Sequence, residues 1–116
     1  MGQVLLPHPF TFLTMKLFAL RDRHNDAEKD FGRHHALDLY TVIGTMAESE
    51  WNESLGLRAR NQANTILIES SHIVGELFAS LDSMGTIRLR ESAYFRPDFR
   101  VNDFLSALKE LFGAKP

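Results

Sequence analysis

Residues 10–23 read FTFLTMKLFALRDR, and this stretch decides the fold of the chain. Its apolar residues recur at i, i+3, i+7 and i+10, the spacing of one face of an α-helix. They are Phe10, Leu13, Leu17 and Leu20. Phe12, Met15 and Phe18 widen the apolar surface, so we expect a helix buried on more than one side. Pro9 fits the first turn, where its missing N–H is not needed.

The helical period continues along most of the chain. Asp26 is a candidate N-cap for a second helix that runs to about Gly44. A long amphipathic helix is predicted over about 63–81, with its apolar face running from Ile66 to Leu81. A last helix is predicted over about 101–112, and Gly113 follows it at a position where helices stop.

The remaining segments carry weaker signals. Thr45 and Glu48 fit a capping box for a further helix, although the helical period of residues 51–62 is weak. Residues 4–6 could form a strand that ends at Pro7, and the alternation of residues 86–90 is typical of a short strand or an extended connector. The sequence therefore predicts a mainly all-α fold. We expect one helical domain, a bundle of four to five helices with at most one or two short strands.

Composition narrows the functional classes. The 116 residues contain no cysteine, which excludes disulfides and thiolate chemistry and fits a reducing cytoplasm. Apolar types make up 44% of the chain, yet no apolar run approaches the length of a membrane span. The first ten residues lack the basic region and cleavage site of a signal peptide, so a cytoplasmic location is expected. A net charge of −2 makes nucleic acid an unlikely partner.

The most specific chemistry lies between Lys16 and Tyr40. Lys16 and Arg23 are seven residues apart, so on a helix they project within about 20° of each other. Together they could hold a phosphate group, with Arg23 supplying a planar fork and Lys16 a point charge. The alternative is that both cations pair with carboxylates such as Asp30 or Asp38.

His34 and Asp38 form a second candidate pair on the next helix. Their i, i+4 spacing could place a nitrogen and an oxygen on one metal ion, or let the carboxylate orient the imidazole. Two ligands do not make a metal site, so these residues are only weak candidates. His35 falls on the core face, where a hydrogen-bonded structural histidine is the usual outcome. The sequence holds neither a Gly-rich phosphate loop nor a nucleophile elbow.

The run PHPFTFLTMKLFALRDRHNDAEKDFGRHHALDLYTVI, residues 7–43, resembles the C-terminal part of AbiEii/AbiGii-type nucleotidyltransferase-like proteins. Members of that family show a strand, a proline-led helix with a lysine, alanine and arginine pattern, and then a basic–acidic pair and a second aspartate. The matching positions here are Lys16, Ala19, Arg23, Lys29, Asp30 and Asp38.

The chain departs from the family pattern in two places. The family often writes its second motif as K-D-x-x-D, and at that spacing this chain has His34, His35 and Asp38. Either the motif carries an insertion after Lys29-Asp30, or His35 replaces the first aspartate. The family also holds its metal with D-x-D carboxylates in an N-terminal α/β domain, and this sequence contains no D-x-D.

The resemblance implies a helical portion that supports nucleotide phosphates, while another domain supplies the catalytic half. Under it, Lys16, Arg23, Lys29, Asp30 and Asp38 are the candidate phosphate-binding residues, and Mg²⁺ and a nucleoside triphosphate are the implied cofactors. The chain alone would hold neither cofactor and would be inactive. Two other hypotheses stay open: a non-enzymatic module that self-associates, and a metal-dependent enzyme centred on His34, His35 and Asp38.

Overall fold

A computed structural model describes residues 8–113 of the chain. Over this range it contains six α-helices, one 3₁₀ segment and no strand. The elements are α1 (Pro9–Arg23), the 3₁₀ segment Ala27–Gly32, α2 (Arg33–Thr45), α3 (Glu48–Arg60), α4 (Thr65–Leu77), α5 (Met84–Arg90) and α6 (Val101–Phe112). The predicted all-α class is confirmed, and the described part of the chain has more helices than the four to five expected.

The first helix lies at the centre of the bundle, as its apolar stripe predicts. It packs mainly against α2 and α4. The four stripe residues, Phe10, Leu13, Leu17 and Leu20, are all buried. Pro9 occupies the first turn, and the His8 side chain caps the helix by accepting a hydrogen bond from the N–H of Phe10 at 3.1 Å. Sequence and structure therefore agree on this helix to within one residue.

The core closes where α4 and α6 meet α1. Aromatic rings make several of these contacts: Phe10 stacks on Phe112 at 5.1 Å between centroids, and Phe78 meets Phe104 edge-on at 5.6 Å. Leu108 and Leu111 of α6 are fully buried beside them. Gly113 ends α6 with φ +66°, a conformation that glycine adopts without steric cost.

The prediction of a short strand or an extended connector at residues 86–90 is wrong, because these residues lie in α5. Thr86 and Leu89, three residues apart, are both buried, which is a helical and not an alternating pattern. The Thr86 hydroxyl donates to the carbonyl of Ser80 at 2.9 Å. No strand lies within residues 8–113 to pair with an extended segment, so a helix satisfies the backbone groups here. The predicted strand at residues 4–6 lies outside the described residues.

Three helices also differ in their boundaries from expectation. Asp26 caps the 3₁₀ segment by accepting from the N–H of Glu28 at 3.0 Å, and the left-handed turn that follows delays the start of α2 to Arg33. The cap of α3 is Ala47 and not Thr45: the Glu50 carboxylate accepts from the N–H of Ala47 at 2.9 Å. The helix then runs through the segment whose period was weak. The fourth helix is shorter than predicted, since Asn64 caps its start and it ends at Leu77. Ile66 and Leu81, expected in the core, are 54% and 40% exposed.

Candidate functional site

The side chain of Lys16 lies at the seam between α1 and α2. Its Nζ is 2.9 Å from Oδ2 of Asp38 and 3.3 Å from Nδ1 of His35. The same ammonium lies 5.2 Å from the centroid of the Phe12 ring, within the range of a cation–π contact. The side chains of Lys16 and Asp38 are 20% and 40% exposed, so the pair is open to solvent on one side.

The helix period explains why these groups meet. Lys16 stands between the buried Leu13 and Leu20, so it leaves α1 at the border of the apolar stripe. On α2, His35 and Asp38 flank the buried Ala36 in the same way and share a face at i, i+3. Packing the two apolar stripes against each other therefore brings the polar borders together.

The ring of His35 is kept neutral at physiological pH. Its pKa is lowered from 6.5 to about 4, first because burial disfavours the charged imidazolium and next because positive charge on His34, Lys16 and Arg23 repels it. Asp38 acts in the opposite direction and is outweighed. The rings of His34 and His35 lie 3.8 Å apart. Lys16 and Arg23 therefore both act on this ring, although the chain carries a net charge of −2.

Arg23 approaches the same region from the last residue of α1. Its Cβ is 3.3 Å from the position that a Cβ on Gly32 would occupy, so helix and loop touch there. Arg23 is half-buried, and its charge contributes to the field at His35. Of the predicted site residues, the structure therefore groups Lys16, Arg23 and Asp38 around His35.

The other two predicted residues belong to a different part of the surface. Asp30 is 66% exposed in its side chain and accepts a hydrogen bond from Arg33 at 2.7 Å. Lys29 is exposed in the 3₁₀ segment. Asp30 thus pairs with Arg33, whereas Asp38 pairs with Lys16.

The two weak candidates for metal binding do not form a ligand set. His34 is exposed, and Asp38 is engaged by Lys16. In residues 8–113, no group of three or more histidine, aspartate or glutamate side chains is arranged to hold a metal ion.

Sequence reasoning missed a second polar cluster, where the loop before α2 meets α5. Arg88 donates through Nε to the carbonyl of His24 and through a terminal nitrogen to Glu91, both at 2.8 Å. Arg33 donates to the same Glu91 oxygen at 3.2 Å. Both guanidinium groups lie over the ring of Phe31, at 4.6 and 5.0 Å from its centroid. These hydrogen bonds, that of Arg88 above all, lower the pKa of Glu91.

The backbone under this cluster is left-handed over three consecutive residues. Asp30, Phe31 and Gly32 have φ of 53°, 54° and 67°. Such a conformation costs a non-glycine residue about 1–2 kcal/mol, so the contacts of Phe31 and Arg33 must hold it in place. The i, i+3 spacing of Arg88 and Glu91 is the one signal of this cluster in the sequence, and it has meaning only if the segment is helical.

Comparison of the chain with models of known protein families, with curated proteins and with solved structures finds no match in any of the three. No helix in the described part of the chain is long and apolar enough to span a membrane.

Proposed function

We propose that the seam between α1 and α2 binds the phosphate groups of a nucleotide, as the helical part of a nucleotidyltransferase-like protein. The supporting observation is the grouping of two cations from one helix beside His35: the Lys16 ammonium lies 3.3 Å from its ring nitrogen and 2.9 Å from Asp38, and the charge of Arg23 also acts on that ring. A polyphosphate carries several negative charges in a compact group, so a local excess of cations on an otherwise acidic chain favours it. The resemblance of residues 7–43 to that family points to the same residues.

Each side chain has a distinct role in this proposal. Arg23 offers the planar fork that binds two phosphate oxygens at once, and Lys16 supplies a point charge. Asp38 holds the ammonium of Lys16 at 2.9 Å and so fixes its direction. His35 stays neutral, so it can donate one hydrogen bond through its ring while its other nitrogen faces Lys16. The partly exposed ion pair is worth at most about 1 kcal/mol, so a bound polyphosphate can compete with Asp38 for Lys16.

The proposal divides the chemistry between this chain and another domain. Mg²⁺ would polarise the triphosphate, and we expect its carboxylate ligands to come from another domain, since the described residues hold no group of three or more potential metal ligands. Lys16 and Arg23 would orient the phosphates and offset their charge. We therefore expect the isolated chain to bind polyphosphate and to show no nucleotide transfer. The same proposal includes a cytoplasmic location. Nucleotides are abundant there, and a sequence without thiols fits a reducing compartment.

Titration calorimetry with sodium tripolyphosphate and with ATP at low ionic strength tests the proposal. We expect saturable binding that weakens as salt is raised, and an affinity about tenfold lower in Lys16→Met and in Arg23→Met. Arg60→Met is a matched control, because Arg60 is exposed on α3 and takes no part in the seam.

Two outcomes would contradict the proposal. Loss of affinity in Arg60→Met equal to that in Arg23→Met would show only nonspecific attraction to surface charge. Measurable transfer of a nucleotide by the isolated chain, abolished by Lys16→Met, would show that the catalytic half is not needed.

A second candidate is a non-enzymatic module that associates with itself. It is favoured by a shallow groove of about 300 Å³ between α1 and α4. Phe10, Leu57 and the exposed Ile66 line this groove. Light scattering over a range of concentrations distinguishes the two, since a monomer that binds tripolyphosphate supports the nucleotide proposal. A dimer that Ile66→Ser dissociates supports the module.

A further inference from the structure

A pocket far along the chain from the α1–α2 seam is built around Arg58, in the last turn of α3. Its polar lining consists of Arg58, Gln62, Ser71 and His72, and Gly113 closes it at the end of α6. The cavity has a volume of about 200 Å³. A wider recess of about 570 Å³ continues from it past Ser71 and His72 toward Glu76.

The guanidinium of Arg58 is confined in this pocket without a counter-ion among the described residues. Its Nε is buried and has no hydrogen-bond partner there. A buried donor with no acceptor costs about 1–3 kcal/mol, and more when the group is charged. Natural proteins keep such groups where a ligand, ion or water completes them.

Gly113 lies directly against the guanidinium of Arg58. A Cβ at Gly113 would lie 2.3 Å from a terminal nitrogen of Arg58, so the absence of a side chain there leaves room for the guanidinium beside the end of α6. Glu69, on the same helix as Ser71 and His72, pairs with Arg21 at 3.0 Å, and its other oxygen lies 3.7 Å from His72.

We propose that this pocket binds a small organic oxyanion, a carboxylate or a phosphate monoester, with Arg58 as its counter-ion. The planar fork of arginine matches the two oxygens of either group. Gln62 and the hydroxyl of Ser71 can donate to the remaining lone pairs. Ile68, 43% exposed, offers apolar surface to the organic part of the ligand, while the acid Glu76 in the outer recess directs the anionic end inward.

Arginine side-chain NMR tests the proposal on the whole chain, with the Nε–H signal of Arg58 as the reporter. We expect a saturable shift of that signal on titration with benzoate, phenyl phosphate or both. Acetate and inorganic phosphate, which lack the organic part, should bind more weakly. Saturation by benzoate at the lower concentration would indicate a carboxylate ligand, and saturation by phenyl phosphate at the lower concentration would indicate a phosphate ligand.

Three variants on the same helix sharpen the result. Arg58→Gln should lower the affinity at least tenfold, as expected for a lost charge-assisted hydrogen bond. Arg58→Lys keeps the charge but loses the planar fork, so its affinity should lie between those of Arg58→Gln and the parent chain. Arg60→Gln should change the affinity less than twofold, because Arg60 folds back toward Gly56 on its own helix.

No saturable shift of the Arg58 signal with any of the four ligands would overturn the proposal, and so would an equal loss in Arg60→Gln. The titration of the unmodified chain decides the matter even if Arg58→Gln does not fold. Arg23 gives a separate Nε–H signal at the α1–α2 seam. Phosphate binding at the seam and oxyanion binding at Arg58 therefore succeed or fail independently.

Discussion

The ammonium of Lys16 and the carboxylate of Asp38 form the one direct ion pair between α1 and α2 in residues 8–113, at 2.9 Å. The pair ties together two residues that lie 22 positions apart and stand on opposite sides of the seam. It has two consequences for binding. Lys16 is held in a fixed direction, and its charge is partly cancelled until an anion competes with Asp38.

Removing the carboxylate should therefore strengthen anion binding. We expect Asp38→Asn to raise the affinity for tripolyphosphate about fivefold, since a pair worth about 1 kcal/mol no longer opposes the ligand. The free energy of unfolding should fall by no more than about 1 kcal/mol. Calorimetry and urea denaturation measure the two effects. Asp103→Asn is the control, because Asp103 is 76% exposed and its contact with Arg100 is long, at 3.8 Å. A lower affinity in Asp38→Asn would mean that orienting the side chain of Lys16 is a larger effect of Asp38 than cancelling its charge.

The titration of His35 should appear in the pH dependence of stability. Its pKa is about 4 in the folded chain and 6.5 in a free side chain, so between these values the unfolded state binds more protons. The free energy of unfolding should therefore decrease as the pH falls from about 6.5 to 4. Urea denaturation across this range should show a shallower decrease in His35→Gln than in the parent chain. An NMR titration of His35 with a midpoint near 6.5 would contradict the expectation.

Two glycines of neighbouring segments should respond to alanine in opposite directions. At Gly32, φ is +67° and a Cβ would lie 3.1 Å from Cδ1 of Leu20, so Gly32→Ala should destabilise the chain by about 1–2 kcal/mol. At Gly44, inside α2, nothing lies within 4 Å of an added Cβ. Gly44→Ala should therefore stabilise it by about 0.5–1 kcal/mol. Thermal unfolding of both variants measures the contrast, and a stabilising Gly32→Ala would exclude the left-handed turn.

Arg88 should contribute more to stability than an exposed arginine of the same region. Its side chain is only 11% exposed and joins α5 to the carbonyl of His24 and to Glu91. Arg88→Met keeps the aliphatic stem but loses both hydrogen bonds and the contact with Phe31, so we expect a loss of about 2 kcal/mol. Arg96→Met, in the exposed loop before α6, should cost less than about 0.5 kcal/mol. Equal effects in urea denaturation would mean that the cluster does not hold the turn.

The helices that sequence reasoning located are those with a strong apolar period of their own. The stripe of α1 and the run that ends at Gly113 place α1 and α6 almost to the residue. The segments with weak or misleading signals bury few apolar side chains. In α3 the one fully buried residue is Ser54, and the buried residues of α5 are Gly85, Thr86 and Leu89. Their helical state depends on packing against neighbours, which a local period does not report.

The candidate site also has features that the sequence pattern predicts and features that only the tertiary structure decides. The pattern alone places Lys16 and Arg23 on one face of a helix and His34 and Asp38 on one face of the next, because the helix period follows from backbone geometry. The tertiary structure decides that His35, expected on the core face, joins Asp38 at Lys16. It also decides how far burial and neighbouring charge shift the pKa of His35, and where Arg58 lies beside Gly113. These depend on distances between residues far apart in the chain, and such distances exist only once the helices have packed.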